Sequence, residues 1–501
     1  MGYGKTLRDR VPAIRFLVEA QKTVWYPILF AVLCIISGSN GRDVYIPVIC
    51  ILCSFVLFSL FFSDDNKVLL APILMIYYSL GMDNPKARPG GVTDESLLSS
   101  FDFASFIFVI SLGVVVFIAF VARLIADNSI KAAVQKSKVG AIAILALDAA
   151  FMLNGIFSPD YQPINLLYGF IICAAITIFY FFAIGMMKNS PNVVPYACKA
   201  MVCTAYVALI QFLIKAYWVF QDGTLFILNS ESEIIRINRS YLNLAWGLST
   251  QIAAVFVLGI PAALYLARNC KYSIVSYLSA FMFLIGTALI ATRSAILVGT
   301  LTFFFGSILC CLRNKKHPIN AICCRVLFFI LVALSAYTLM RLLAMPSGLD
   351  ELLYYLRLDD IDDHSRISLW TLGLEHFAQS PVFGLGFDTG TNITNNVFSS
   401  MYHCVLVQML GSMGILGALA FIVHCTCLGV IFFKKVSVDK ILLMLIPLMV
   451  LGMSLVDNFF FYPNFQIFYS VFLALAEFHL ISDEQRNKKI PDISNDAPIS
   501  N

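Results

Sequence analysis

Residues 284–306 read LIGTALIATRSAILVGTLTFFFG, an apolar run interrupted by a single arginine, Arg293. A guanidinium at that place costs about 3 kcal/mol on insertion scales unless it snorkels or faces a polar cavity. The run is therefore two membrane spans, 273–292 and 295–312, joined by a turn that carries the cation. The rest of the chain is written the same way. It is 59% hydrophobic and 13% charged, with a mean hydropathy of +0.83, well beyond the apolar share of a soluble domain.

Stretches of the length a bilayer demands recur at 22–39, 44–62, 68–80, 102–125, 140–157, 166–187, 200–219, 246–267, 273–292, 295–312, 324–343, 402–433, 441–456 and 459–481. The expectation is one all-α, polytopic transmembrane helical bundle over residues 1–501, with about fourteen spans, or twelve if the short first and third are discounted. The first segment is read as a retained span, because no small-residue cleavage site follows Ser37. With the N-terminus placed inside, about 24 of the 34 Lys and Arg residues fall on the cytoplasmic side, as retention of basic loops requires. Both termini are then cytoplasmic. The outward-facing cations are the exceptions, and most of them, Lys215, Arg236, Arg239, Arg293, Arg341, Arg357 and Arg366, lie between residues 215 and 366.

The net charge of +4 follows from that inside excess and implies no nucleic-acid partner. Among the 14 Cys, pairs such as Cys323-Cys324 and Cys425-x-Cys427 lack zinc-site spacing and read as small buried hydrophobes. Of the outside segments, 344–401 is the longest, and long loops in compact proteins tend to carry function. Within it, Ile367, Leu369, Trp370, Leu372, Leu374 and Phe377 alternate with polar groups over 364–379 as in a helix lying at the interface, ended by Ser380-Pro381. The tail 482–501 reads as disordered.

Five elements in order carry the pattern. RINRSYLNLAW (236–246) brings Arg236 and Arg239 to the start of a span; ATRSA holds Arg293. HSRISLW (364–370) sets Arg366 and Trp370 four residues apart on one helical face, and PVFGLGFDTG (381–390) is a glycine turn. YHCVLVQMLGSMGILG (402–417) puts His403 at a helix mouth. Together they resemble the O-antigen ligase and polymerase family. The resemblance covers roughly 230–460; it departs at Leu242, where the family has Pro, and at Cys404, where it has Asn.

That resemblance implies a type C-like, metal-independent, inverting glycosyltransferase with no cofactor. It would act on a saccharide linked to undecaprenyl diphosphate at the outer face of the cell membrane, with a glycan or lipid acceptor and partners in a polysaccharide assembly complex. His403, Arg293 and Arg366 would be catalytic, whereas Arg236, Arg239, Trp370 and Lys215 would bind substrate. Each residue also has a plainer role: Arg293 as a topological anchor, Lys215 as a snorkelling lysine, the 381–390 turn as a structural corner, Asp359, Asp360, Asp362 and Asp363 as a solvated acidic loop rather than a metal site. An alternative function is a lipid-linked oligosaccharide flippase or other transporter, for which Asp148 is the clearest mid-span charge.

Overall fold

The computed structural model describes residues 7–39, 42–80, 103–126, 138–158, 161–190, 192–228, 234–244, 246–345, 364–387 and 402–488. They form sixteen helical elements: α1 (Pro12–Gln21), α2 (Trp25–Ser39), α3 (Arg42–Phe62), α4 (Asn66–Leu80, 3₁₀ at both ends), α5 (Phe103–Ala126), α6 (Lys138–Met152), α7 (Ile164–Asn189), α8 (Val193–Gln221), α9 (Ser249–Asn269), α10 (Ser273–Leu289), α11 (Arg293–Cys311), α12 (Pro318–Leu343), α13 (His364–Gln379), α14 (Val405–Phe433), α15 (Val438–Met453) and α16 (Pro463–Lys488). A small antiparallel hairpin, β1 (Phe226–Leu228) with β2 (Ile234–Ile237), stands between α8 and α9.

Every expected span coincides with a helical element. Among the described residues nine helices are long and apolar enough to cross a bilayer, or ten if the bent pair Pro12–Gln21 and Trp25–Ser37, folded through 82°, counts as one. The protein is thus a polytopic helical membrane protein. The all-α class holds, with one small two-stranded hairpin beside the helices, and one expectation changes in part. Helix α16 continues to Lys488, so that 482–488 are helical, and 489–501 lie outside the described residues. Trp246, just ahead of α9, is buried and donates from Nε1 to Gln211 Oε1 at 2.7 Å.

Helix α9 is the hub. Its run from Ile252 to Leu266 is buried throughout, and it packs on α8, α10, α11 and α15. Small residues permit this, since lipid supplies no hydrophobic drive between helices and close approach must. A Cβ on Gly259 would lie 2.6 Å from Ala205 Cβ of α8 and 2.9 Å from Phe283 of α10. Helices α5 and α12, in contrast, leave most of their surface exposed, as lipid-facing helices do.

Hydrogen bonds sort the helix ends into two faces. On one, Arg268 at the end of α9 donates to the carbonyls of Leu309 and Leu312 at the end of α11, and Asn269 donates to Asp439 at the start of α15. On the other, Val405 N–H at the start of α14 donates to Ser454 O just past α15 at 2.7 Å, and Tyr77 near the end of α4 donates to Trp246 O ahead of α9.

Candidate functional site

His403 stands on this second face, two residues ahead of α14. Its φ is +51°, a left-handed value uncommon for a residue with a side chain. Nδ1 lies 3.1 Å from Asp457 Oδ1, with the imidazole side chain 41% exposed and the carboxylate 13%. A carboxylate can only accept, so Nδ1 carries a proton, and in the neutral imidazole Nε2 presents its lone pair. Asp457 is held in turn by the N–H of Asn458 at 2.7 Å, in the tight connection between α15 and α16. Further along that connection Tyr462 lies near Gln251, which accepts from Leu248 N–H at the head of α9.

The head of α9 also explains the 236–246 segment. Asn243 Oδ1 takes the N–H of Ser249 at 2.8 Å, satisfying one of the donors a helix start leaves open. Arg239 opens a 3₁₀ turn and is half-buried, while Arg236 is in β2, opposite Ile227. Lys215 is 2% exposed on α8, so it does not reach out to water as a snorkelling lysine would.

Arg293 is the first residue of α11 and half-buried. It follows Ala291, at φ +54°, and Thr292, whose buried Oγ1 has no hydrogen-bond partner among the described residues. Among the described residues, two of the four non-glycine residues with positive φ, Ala291 and His403, flank two of the helix starts at which the sequence put its catalytic candidates. Such outliers concentrate at functional sites. Arg366 and Trp370 are both half-buried on α13; Trp370 Nε1 is buried and unpartnered among the described residues.

Helix α13 begins and ends where the sequence places it, and it packs against α14. Buried His376 joins the two: its Nδ1 is 2.6 Å from Tyr402 Oη, beside the His403 turn. The glycine turn is a structural splice. Helix α14 breaks at Gly414, with φ +64° and ψ −153°, and the 381–387 segment pairs with the freed backbone. Leu385 and Gly386 donate to Gly411 O and Ser412 O, while Ile415 and Leu416 donate to Pro381 O and Val382 O. Gly384 and Gly386 also have positive φ. Their absent side chains are what admits α14 so closely: a Cβ on Gly384 would lie 2.2 Å from Ser412 C.

Among the described residues no three His, Cys, Asp or Glu side chains gather as a metal site would need; Asp359 to Asp363 lie outside them. Sequence reasoning missed Asp457, Gln251 and Tyr462. A lone aspartate between two spans, in SLVDNFFFYPN, was the available signal.

A bundle of membrane helices that brings a His–Asp pair and helix-start arginines to one face defines a polytopic membrane protein with a candidate polar site at that face. Residues 278–422, which hold Arg293, Arg366, Trp370, the glycine splice and His403, match the family model described as O-antigen ligase. The matched segment is less than a third of the chain, and over that segment the protein is similar to the O-antigen ligase family. No curated protein matches the chain.

Proposed function

We propose that this protein transfers or polymerises a saccharide carried on undecaprenyl diphosphate at the outer face of the cytoplasmic membrane. The His403–Asp457 pair carries the proposal. An acceptor hydroxyl gives its proton to His403 Nε2 while its oxygen attacks the anomeric carbon. The bond from that carbon to the diphosphate breaks, the diphosphate leaves with the electron pair, and the configuration inverts. Asp457 fixes the ring orientation and stabilises the imidazolium that forms. Arg293 and Arg366 meet the charge that grows on the leaving diphosphate, so they favour the transition state over the ground state. Arg236, Arg239 and Lys215 are the further cations for the donor, and Trp370 offers a surface at headgroup level. Neither a metal nor a nucleotide has a step to perform.

The helix starts support this reading. A helix N-terminus presents positive partial charge, which suits an anion and disfavours a cation. The first residue of α11 is therefore a place where a bound phosphate would meet both the helix start and the Arg293 guanidinium.

The test uses purified protein with a synthetic undecaprenyl diphosphate saccharide and mass detection of product. Turnover that survives both EDTA and removal of divalent ions, and is lost in His403→Ala, is expected. Full turnover by His403→Ala would sink the proposed role. Orientation is tested with an impermeant thiol reagent on intact cells: a single cysteine at Asp222 labels and one at Lys435 does not, and the reverse pattern puts the site on the wrong side.

A further inference from the structure

His403 keeps a left-handed backbone, which a residue with a side chain holds only where its surroundings impose it. Bonds on both sides of the residue do so. After it, Val405 N–H donates to the carbonyl of Ser454, a residue whose hydroxyl accepts from Phe460 N–H at 2.8 Å. Before it, Tyr402 N–H donates to Gln408 Oε1 at 3.0 Å. The Gln408 amide is fixed at its other end as well, since Nε2 donates to Ser412 Oγ one turn along α14 at 2.7 Å. At 1% exposure Gln408 meets no substrate, so whatever it contributes passes through the turn.

Tyr402 ties the same turn to α13. Its buried ring lies against two glycines on different helices: a Cβ on Gly411 of α14 would stand 2.7 Å from Cε2, and one on Gly373 of α13 would stand 3.0 Å from Cγ. Its Oη is 2.6 Å from Nδ1 of His376, just beyond Gly373 on α13. Arg366 precedes Gly373 by two helical turns, which puts both on one face of α13 about 10 Å apart. The chain itself connects α13 to the turn through residues 380–401. Tyr402 is thus a direct brace between the helix that carries Arg366 and the residue proposed as base.

We propose that Gln408 and Tyr402 are positioning residues for His403. Gln408 sets the turn from which the imidazole reaches Asp457, and Tyr402 sets the separation between that imidazole and Arg366. Glycosyl transfer with inversion needs both groups placed at once. The base must stand at the acceptor oxygen on one side of the anomeric carbon while the guanidinium meets the diphosphate leaving from the other, and a displacement of about 1 Å can cost about 10²-fold. This clamp rests on the reading of His403 as the base.

The test measures kcat and donor KM of purified protein, per molecule in the monodisperse elution peak, for Gln408→Leu, Gln408→Glu and Tyr402→Phe, each with His403 present and with His403→Ala. Gln408→Leu keeps the bulk of the side chain and loses both hydrogen bonds; its kcat is expected to fall on the order of 10–100-fold with KM unchanged. Gln408→Glu, neutral when buried, still accepts from Tyr402 N–H and donates to Ser412, and should recover most of that loss. Tyr402→Phe loses only the bond to His376, for a fall in kcat of roughly two- to tenfold. In the His403→Ala background neither Gln408→Leu nor Tyr402→Phe should cost anything further, because a residue that acts through the imidazole has no effect once the imidazole is gone. Wild-type kcat in Gln408→Leu, or losses that multiply with that of His403→Ala, would overturn the clamp and leave the base in place. Wild-type kcat in Tyr402→Phe would remove Tyr402 from it, and full turnover by His403→Ala would remove the base and the clamp together.

Discussion

The two faces of the bundle use cations in opposite ways. On the face away from the site, cations close helix C-termini. Lys440 Nζ takes the carbonyls of Ile431, Phe432 and Lys434 at the end of α14, Arg268 takes those that end α11, and Arg123 takes Leu60 O and Ser63 O at the end of α3. Each is buried, and each sits where the helix dipole welcomes positive charge. On the site face Arg293 begins a helix, where the dipole opposes its charge, and His403 stands two residues ahead of another. The buried cations that cap helix C-termini, Lys440, Arg268 and Arg123, are structural, and the half-buried Arg293 differs from them in standing at a helix start.

The sharpest way to break that contrast is at His403. His403→Ala should lower turnover by about 10²–10⁴, the usual worth of a general base, with membrane abundance unchanged. Asp457→Asn keeps the hydrogen bond but loses the charge that favours imidazolium, and a loss on the order of 10–100-fold is expected, the scale reported for groups that orient a histidine. An unchanged kcat in Asp457→Asn would reduce the pair to a helix-start brace.

Arginine and lysine substitutions separate the faces directly. Arg293→Lys and Arg366→Lys retain charge and lose the planar fork that matches phosphate, so activity should fall steeply at normal abundance. Lys440→Met should do the reverse: the carbonyls it leaves buried cost about 1–3 kcal/mol, lowering Tm while activity per folded molecule holds. Equal stability losses on the two faces would erase the distinction.

Much of this was legible because the bilayer imposes it. Fourteen apolar stretches became fourteen helical elements, since a backbone in lipid must satisfy itself internally, and α13 ends at Gln379 because Pro381 follows. What the sequence concealed has physical reasons too. Asp457 lies 54 residues from His403, so only the fold reveals the pair. The break in α14 is invisible to hydropathy because Gly414 sits in a continuous apolar run, and its energetic partner is the distant 381–387 turn. The indole N–H of Trp246 pairs inside the bundle with Gln211, 35 residues away in the chain. The 82° bend after α1 falls within a segment whose composition suggested a single basic head and span.

The splice offers the next test, smaller than the catalytic ones and felt as stability. Gly414→Ala places a Cβ 2.5 Å from Val382 C in a backbone region reserved for glycine, and Gly384→Ala meets Ser412. Strain of that kind costs of order 1–3 kcal/mol before the clash is added. Lower Tm with displaced α13 is expected, read as faster proteolysis near 380–387, whereas wild-type Tm in Gly414→Ala would mean the break relaxes into ordinary helix.

The smallest expected effect concerns His376, which couples α13 to the His403 turn through Tyr402. Burial holds its imidazole below the usual histidine value, with Glu375 opposing that shift. Between the folded and the unfolded values the unfolded chain binds more protons at this residue, so stability rises with pH there. The contribution is complete above the ordinary value of about 6.5 and is lost as pH falls below it. The wild-type protein should therefore lose more Tm between neutral and mildly acidic pH than His376→Gln, whose amide can still reach Tyr402 and does not titrate. Parallel pH profiles for the two proteins would show that His376 is already free to protonate in the folded state and that its bond to Tyr402 does not hold α13 against α14.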